Sequence, residues 1–397
     1  MIRNHRTVIC REGWYYMVVL AMVLTGAVYR EVNLLLMLAG MLAGPLLFNW
    51  RAVRLTLRGL EVRRKVPEGV CAGDLLVTQL HLRNTRRRIG SWAVMAEEQI
   101  RLETSSAGDA GPPQKPIHPS VLFPYVPAGE SRMGVYRGRL TQRGRYRIGP
   151  LRLSTRFPFG LFCRTITVGQ TDTLTVFPRL GRLTRAWVTR RRESFAGTHR
   201  RERRPGLEGD FYGVRQWRSG DNKRRIHWRT SARAGELVVR QFEQPRNRDL
   251  AVLIDLWQPE HPTAEHTDNV ELAVSFAATV AAALCRKGDA NLLLASADPR
   301  PQHVAGPAST PLLQEIMHRL AVTGASAADQ LPELLDRVVK QIEPGTEVVL
   351  VSTRAVDLSN TSRFAALWSN PSGRAAARQV RCIDVSSDDL DEYYHLD

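Results

Sequence analysis

The sequence predicts a three-part architecture: an N-terminal transmembrane helical hairpin, a β-sandwich-like domain, and a doubly wound α/β domain. Three observations predict it. Two apolar runs of about sixteen and about seventeen residues, Trp14–Tyr29 and Val32–Phe48, lie side by side near the start. Short alternating segments broken by Gly, Pro and Asp follow them. Continuous apolar strands then alternate with helical stretches. The expected boundaries are 1–58 for the hairpin and its basic flanks, 59–180 for the β domain, 181–248 for a basic linker, and 249–397 for the α/β domain.

Only Arg30 and Glu31 separate the two apolar runs. Trp14, Tyr15, Tyr16 and Tyr29 bracket the first run and Trp50 follows the second, which are positions for interfacial rings. Arg3, Arg6 and Arg11 precede the hairpin; Arg51, Arg54, Arg58, Arg63, Arg64 and Lys65 follow it. Basic residues outside both ends predict a multi-pass cell-membrane protein with both termini and the soluble domains in the cytoplasm. A cleaved signal peptide would carry a small-residue cleavage site and no second run. A buried core hairpin would show polar positions at helical spacing.

The formal net charge is +17 and the sequence pI near 10.4, which calls for an anionic neighbour. By segment the charge is about +15 over 1–180, about +12 over 181–248 and about −10 over the rest. An acidic last domain argues against a nucleic-acid reader and for a membrane surface close to the basic part. Cys10, Cys71, Cys163, Cys285 and Cys382 are odd in number and widely spaced, which suits isolated thiols in a reducing cytosol.

In the β region the clearest strands are Leu75–Leu82, Tyr146–Leu153 and Thr173–Pro178, with turns at Glu68-Gly69, Ala72-Gly73-Asp74 and Pro127–Glu130. Ser105–Pro119, rich in Gly, Pro and Ser, reads as a loop. In the α/β region Leu250–Trp257, Asn291–Ala295, Glu347–Ser352 and Val380–Val385 read as strands. Val270–Arg286 is apolar all round, as a buried helix is, and further helices are expected near Pro311–Ala321, Ala328–Ile342 and Arg363–Trp368.

Between the domains lies the most distinctive run. It holds Phe211, Arg215, Trp217, Arg218, Gly220-Asp221, Arg224-Arg225, Ile226-His227-Trp228 and Ser231-Ala232-Arg233. This spacing resembles the signature of the bacterial membrane proteins called the domain of unknown function 58 family. Upstream, Arg143–Pro150 and Phe157-Pro158-Phe159-Gly160-Leu161-Phe162 are also similar to that family, with Phe157 where its usual version has aspartate. The resemblance implies a von Willebrand factor A-like C-terminal domain and companionship with MoxR-type AAA+ ATPases.

Such domains often hold a divalent cation on Asp-x-Ser-x-Ser at the first strand's end. Here that place reads Asp255-Leu256-Trp257-Gln258-Pro259, without either hydroxyl. Asp255 is therefore expected as a degenerate metal position without metal, an aspartate capping the next turn. No cofactor is expected.

The arginines and tryptophans of the run admit two readings. Guanidinium groups beside indoles can grip phosphate or stack on bases. Alternatively Ser219-Gly220-Asp221 turns tightly, Asp221 pairs an arginine, and the tryptophans wedge between domains as a clamp or partner surface. The second reading is preferred, because no nucleic-acid-binding module is legible. Arg190–Arg192 and Arg200–Arg204 read as a solvated loop or an electrostatic contact to lipid or an acidic partner.

Phosphate-loop, nucleophile-elbow and zinc-helix motifs are missing from the sequence. The expected function is a membrane-anchored, non-catalytic scaffold or adaptor that binds protein partners. The alternative is a membrane-associated nucleic-acid binder using 181–248. Self-association is left open.

Overall fold

The computed structural model describes residues 3–103, 115–190, 205–219, 221–243, 249–288, 290–297, 302–343, 345–369 and 371–396. Gly220, most of the two arginine clusters and residues 104–114 of the expected loop lie outside the described residues. The chain forms two compact units, Met1–Pro178 and Arg179–Asp397.

The first unit begins with strand β1 (Arg3–Ile9), then helices α1 (Arg11–Arg30) and α2 (Asn33–Thr56). Both helices are long and apolar enough to cross a membrane, and only 11% of the most apolar stretch of each is buried. Their exposed side chains include Met22, Leu34, Met37 and Met41, all more than 70% exposed. Such surface is stable only in a lipid environment, so the chain is a membrane protein.

Eleven strands follow: β2 (Leu60–Lys65), β3 (Gly69–Cys71), β4 (Leu75–Asn84), β5 (Ser91–Glu97), β6 (Ile100–Glu103), β7 (Ser120–Val126), β8 (Ser131–Arg139), β9 (Gly144–Ile148), β10 (Leu151–Thr155), β11 (Phe162–Val168) and β12 (Asp172–Phe177). They form sheets ordered β1-β11-β10-β5-β7, β3-β12-β9-β6 and β2-β4-β8. The strand period of two turns one face of each inward. Leu80 and Leu82, Val94 and Leu153, and Ile148 and Leu174 bring the three sheets into one core.

Two findings depart from expectation. β1 was not foreseen as a strand. It pairs antiparallel with β11, from Arg3 opposite Val168 to Ile9 opposite Phe162. Arg3 and Arg6 therefore sit on a sheet edge and not on a free flank. Arg64, expected as part of the basic flank after the hairpin, turns inward with its side chain 3% exposed. Its Nε donates to Glu98 Oε1 and its Nη1 to Asp172, both at 2.5 Å. Glu98 is fully buried and also accepts from the Tyr136 hydroxyl. A buried carboxylate demands such partners, so a cation that hydropathy assigns to water is drawn into the core.

The helices are fastened to this unit. The Cys10 amide donates to Leu161 O at 2.9 Å, and the Phe162 amide to Asn49 Oδ1 at 3.1 Å. Leu161 and Phe162 pack against Val53 with Ile9, Tyr16 and Leu46. The Phe157–Phe162 motif is thus the socket for the hairpin. Phe157 stacks on Trp92 with ring centroids 5.8 Å apart.

The second unit contains β13 (Arg182–Leu183), β14 (Pro205–Gln216), α3 (Trp228–Ala234), β15 (Val238–Glu243), β16 (Leu250–Asp255), α4 (Ala264–Lys287), β17 (Asn291–Ser296), β18 (Gln302–Pro307), α5 (Thr310–Val322), α6 (Leu331–Val339), β19 (Glu347–Ser352), α7 (Ala365–Ser369), α8 (Pro371–Ala377), β20 (Val380–Asp384) and β21 (Tyr394–His395). Its main sheet runs β18-β17-β16-β19-β20, parallel except for β18. That antiparallel edge strand was missed in the sequence because Gln302–Pro307 lacks an apolar run.

β16 is buried along its whole length. Ala251 and Leu253 join Leu331, Leu334, Leu335 and Val338 of α6 on one face. Leu250, Val252 and Ile254 point to the other, so helices cover both sides. α4 is as apolar as a membrane span, yet 67% of its most apolar stretch is buried, which makes it a core helix. Residues 181–190 were expected in the linker but belong to this unit. β13 pairs with β21, and Trp187 packs edge-on to Phe276 at 5.3 Å.

Candidate functional site

The distinctive run folds as an elaborated hairpin. β14 and β15 pair antiparallel, with Arg215 opposite Val239 and Gln216 opposite Val238. The Trp217 amide extends the ladder to Leu237 O at 2.7 Å. The intervening chain makes a turn, a 3-10 turn at Lys223–Arg225 and the short helix α3, then rejoins β15 through an Ile226–Val239 bridge. His227 caps α3, accepting from the Thr230 amide at 3.2 Å. Gly235 ends the helix in the left-handed region at φ 70°.

Two polar locks hold this shape. Arg215 donates Nη1 and Nη2 to the two carboxylate oxygens of Asp221 at 2.7 and 2.6 Å, and the Arg218 amide adds a third bond at 2.8 Å. This forked pairing fixes the turn through Ser219. The Arg215 guanidinium, then the Arg218 amide, hold the Asp221 carboxyl below the usual carboxylate range. Ser231 is buried and its Oγ accepts from the Val238 amide at 2.9 Å, pinning α3 to β15. Ile226, Val238 and Val239 form the small apolar floor.

The outer face is left to solvent. Trp228 is 67% exposed, so it takes no part in the hairpin's own apolar floor. A seven-residue amphipathic helix buries one side only, and here Ser231 occupies it. Trp217 is half-buried, with an indole nitrogen that finds no acceptor. Arg218, Lys223, Arg224, Arg229 and Arg233 are exposed and make no ion pair among the described residues, whereas Arg225 is half-buried and partnered. The run therefore divides into residues that lock the hairpin (Arg215, Asp221, Ser231) and exposed residues that do not (Trp228 and the basic side chains).

The second predicted place lies at the end of β16. Asp255 is 2% exposed and does not cap the following turn. Its Oδ2 accepts from Ser352 Oγ at 3.2 Å and from Arg354 Nε at 3.1 Å. Register explains the meeting: β16 and β19 run parallel with Asp255 opposite Ser352. Arg354 also donates to Asp329 at 2.5 Å and lies 5.0 Å from the Trp257 ring centre. Arg363 chelates Asp329 at 2.8 and 2.9 Å.

Burial pushes the Asp255 carboxyl up despite the guanidinium beside it. Burial also acts to raise Asp329, but the Arg363 and Arg354 bonds outweigh it and hold that carboxyl down. This donor set does not fit a divalent cation. Trp257 and Pro259 supply no side-chain oxygen, and a guanidinium takes the Asp255 oxygen a metal would need. Arg354, Asp329 and Arg363 were not foreseen. They lie 25 to 99 residues from their partners in sequence, and only the strand order brings them together.

Residues 213–369, from the hairpin to α7, match the family model described as "Protein of unknown function DUF58". No curated protein matches the chain. Among solved structures, the CARDB domain of PF1109 from Pyrococcus furiosus is similar at 17% identity and TM-score 0.19, over 30% of this chain and 94% of that one. Spo0M, a sporulation control protein from Bacillus subtilis, is similar at 10% identity and TM-score 0.20, over 41% and 58%. Superoxide reductase (neelaredoxin) from Ignicoccus hospitalis is similar at 12% identity and TM-score 0.19, over 31% and 85%. Likenesses at these scores carry no argument about fold or activity.

Proposed function

For a chain whose residues 213–369 match the DUF58 family model, we propose a membrane-anchored, non-catalytic adaptor whose signature hairpin docks a protein partner. The observation that carries this reading is the exposure of Trp228 together with Arg218, Arg224, Arg229 and Arg233 on one hairpin held by the Arg215–Asp221 and Ser231–Val238 bonds. Exposed Trp and Arg on a rigid frame are the residue types that dominate binding energy at protein interfaces. The charge favours a partner with an acidic surface. The family resemblance makes a MoxR-type AAA+ ATPase the partner class to test first.

Two supports concern placement. β1 before the hairpin and β2 after it belong to the same compact unit, so both outer helix ends emerge on one side of the membrane. With the basic flanks, that side is the cytoplasm. The doubly wound sheet with an aspartate at the end of its central strand supports a von Willebrand factor A-like reading of the last domain, with an arginine in the cation's stead.

The test is crosslinking of the tagged full-length chain in its native membranes. An AAA+ ATPase is expected with the wild type and should fall at least about thirtyfold with Trp228→Ala, since hot-spot truncation costs about 2 kcal/mol or more. Undiminished recovery with Trp228→Ala and Arg224→Ala together would sink the docking surface. Recovery of nucleic acid released by salt would replace it with the nucleic-acid reading.

A further inference from the structure

Where α2 ends and β2 begins, the first unit holds a cavity of about 370 Å³. Its polar lining is His5 from β1, Arg54 and Arg58 from the helix end, and Arg164 from β11; Leu57 and Ile166 supply apolar wall. No carboxylate lines it. Arg54, Arg58 and Arg164 make no ion pair among the described residues. The Arg164 Nε is buried and finds no acceptor. A buried guanidinium N–H without a partner is costly, and a cavity lined by three guanidinium groups and no carboxylate asks for an anion.

The end of a helix normally repels anions, because its last carbonyls are free. Here they are answered. Arg86 donates to Leu55 O and to Thr56 O, and Ser91 Oγ donates to Thr56 O at 2.8 Å. The cavity therefore keeps its positive character. Burial, and then Arg54 nearby, draw Arg164 below the usual arginine range, a strain that a bound anion would relieve.

Height along α2 identifies the anion. Leu47 and Phe48 are 64% and 60% exposed, as lipid-facing residues are. Trp50 follows, with the Arg54 guanidinium 3.8 Å from its ring centre. Trp marks the membrane–water boundary; Arg54 lies one turn beyond it and Arg58 just past the end of α2, at headgroup level.

The geometry points to a binding site for a phosphate group, supplied by an anionic phospholipid headgroup, formed by His5, Arg54, Arg58 and Arg164. It needs only that α2 sits in a bilayer and is independent of any docking at Trp228. By it the chain would select acidic lipid at its point of exit, holding the β unit at a fixed height.

The full-length protein in neutral detergent is titrated with phosphatidylglycerol, phosphatidylcholine or inorganic phosphate, and adducts are counted by native mass spectrometry. One phosphatidylglycerol adduct is expected, bound more tightly than phosphatidylcholine. Arg58→Gln and Arg164→Gln should each weaken it about fivefold, the worth of one basic residue near an anionic surface. Arg51→Gln, outside the cavity, should leave it unchanged. Displacement of the lipid by millimolar inorganic phosphate would keep the phosphate site and assign it to a soluble source. Equal binding of the two lipids, or affinity unmoved by both cavity variants, would overturn it. Arg58 is exposed, so its variant decides the matter if Arg164→Gln fails to fold.

Discussion

Arg354 Nε lies 3.1 Å from Asp255 Oδ2 at the end of the central strand of the parallel sheet. The two residues are unequal. Asp255 is buried and its carboxyl is pushed up, so ionisation there works against folding as pH rises. Arg354 serves two carboxylates at once. Arg354→Met should therefore cost about 3 kcal/mol by stranding a buried charge, while Asp255→Asn should cost less. The double variant should recover part of the loss. Denaturant melts of the three proteins check this, and additive losses would mean the pair is not coupled.

Asp221 makes an opposite prediction. Its folded carboxyl is held below the ordinary value, so its contribution is present above about pH 4 and is lost as pH falls through the lowered value. Hydrogen exchange of the 213–239 backbone should be faster in Asp221→Asn than in wild type at neutral pH. The difference should close in acid. A difference that persists in strong acid would contradict the lock.

Gly13 sits where a Cβ would meet Leu161 O at 2.2 Å. Gly13→Ala should lift α1 from its socket and lower the stability of the first unit by about 1–3 kcal/mol. Gly26, with open space around it, is the control, and Gly26→Ala should be neutral or slightly stabilising. Thermal melts in detergent separate the two.

Glu98→Gln removes a buried charge from the Arg64 knot and should destabilise the first unit by about 3–5 kcal/mol. If Arg64 were instead a lipid-facing flank residue, the substitution would have little effect on the melt.

Much of this was legible in order along the chain. The hairpin follows from two apolar runs, and the α/β order from apolar strands spaced by helical stretches, because period and length are local properties. The buried role of Val270–Arg286 was legible too, since an alanine-rich helix apolar on every side suits a core. The turn at Asp221 was legible as chemistry, but its partner was not: Arg215, Arg218, Arg224 and Arg225 are all within reach by sequence, and strand register selected Arg215.

The sequence by itself determined which elements form and which residue types crowd the signature run, because those depend on neighbours along the chain. Tertiary structure alone decided three things. It drew Arg64 inward while leaving Arg58 outside, turned Trp228 to solvent, and set Arg354 on Asp255. Each depends on desolvation and pairing between residues far apart in sequence, and a charge buried with its partner costs what no local pattern can register.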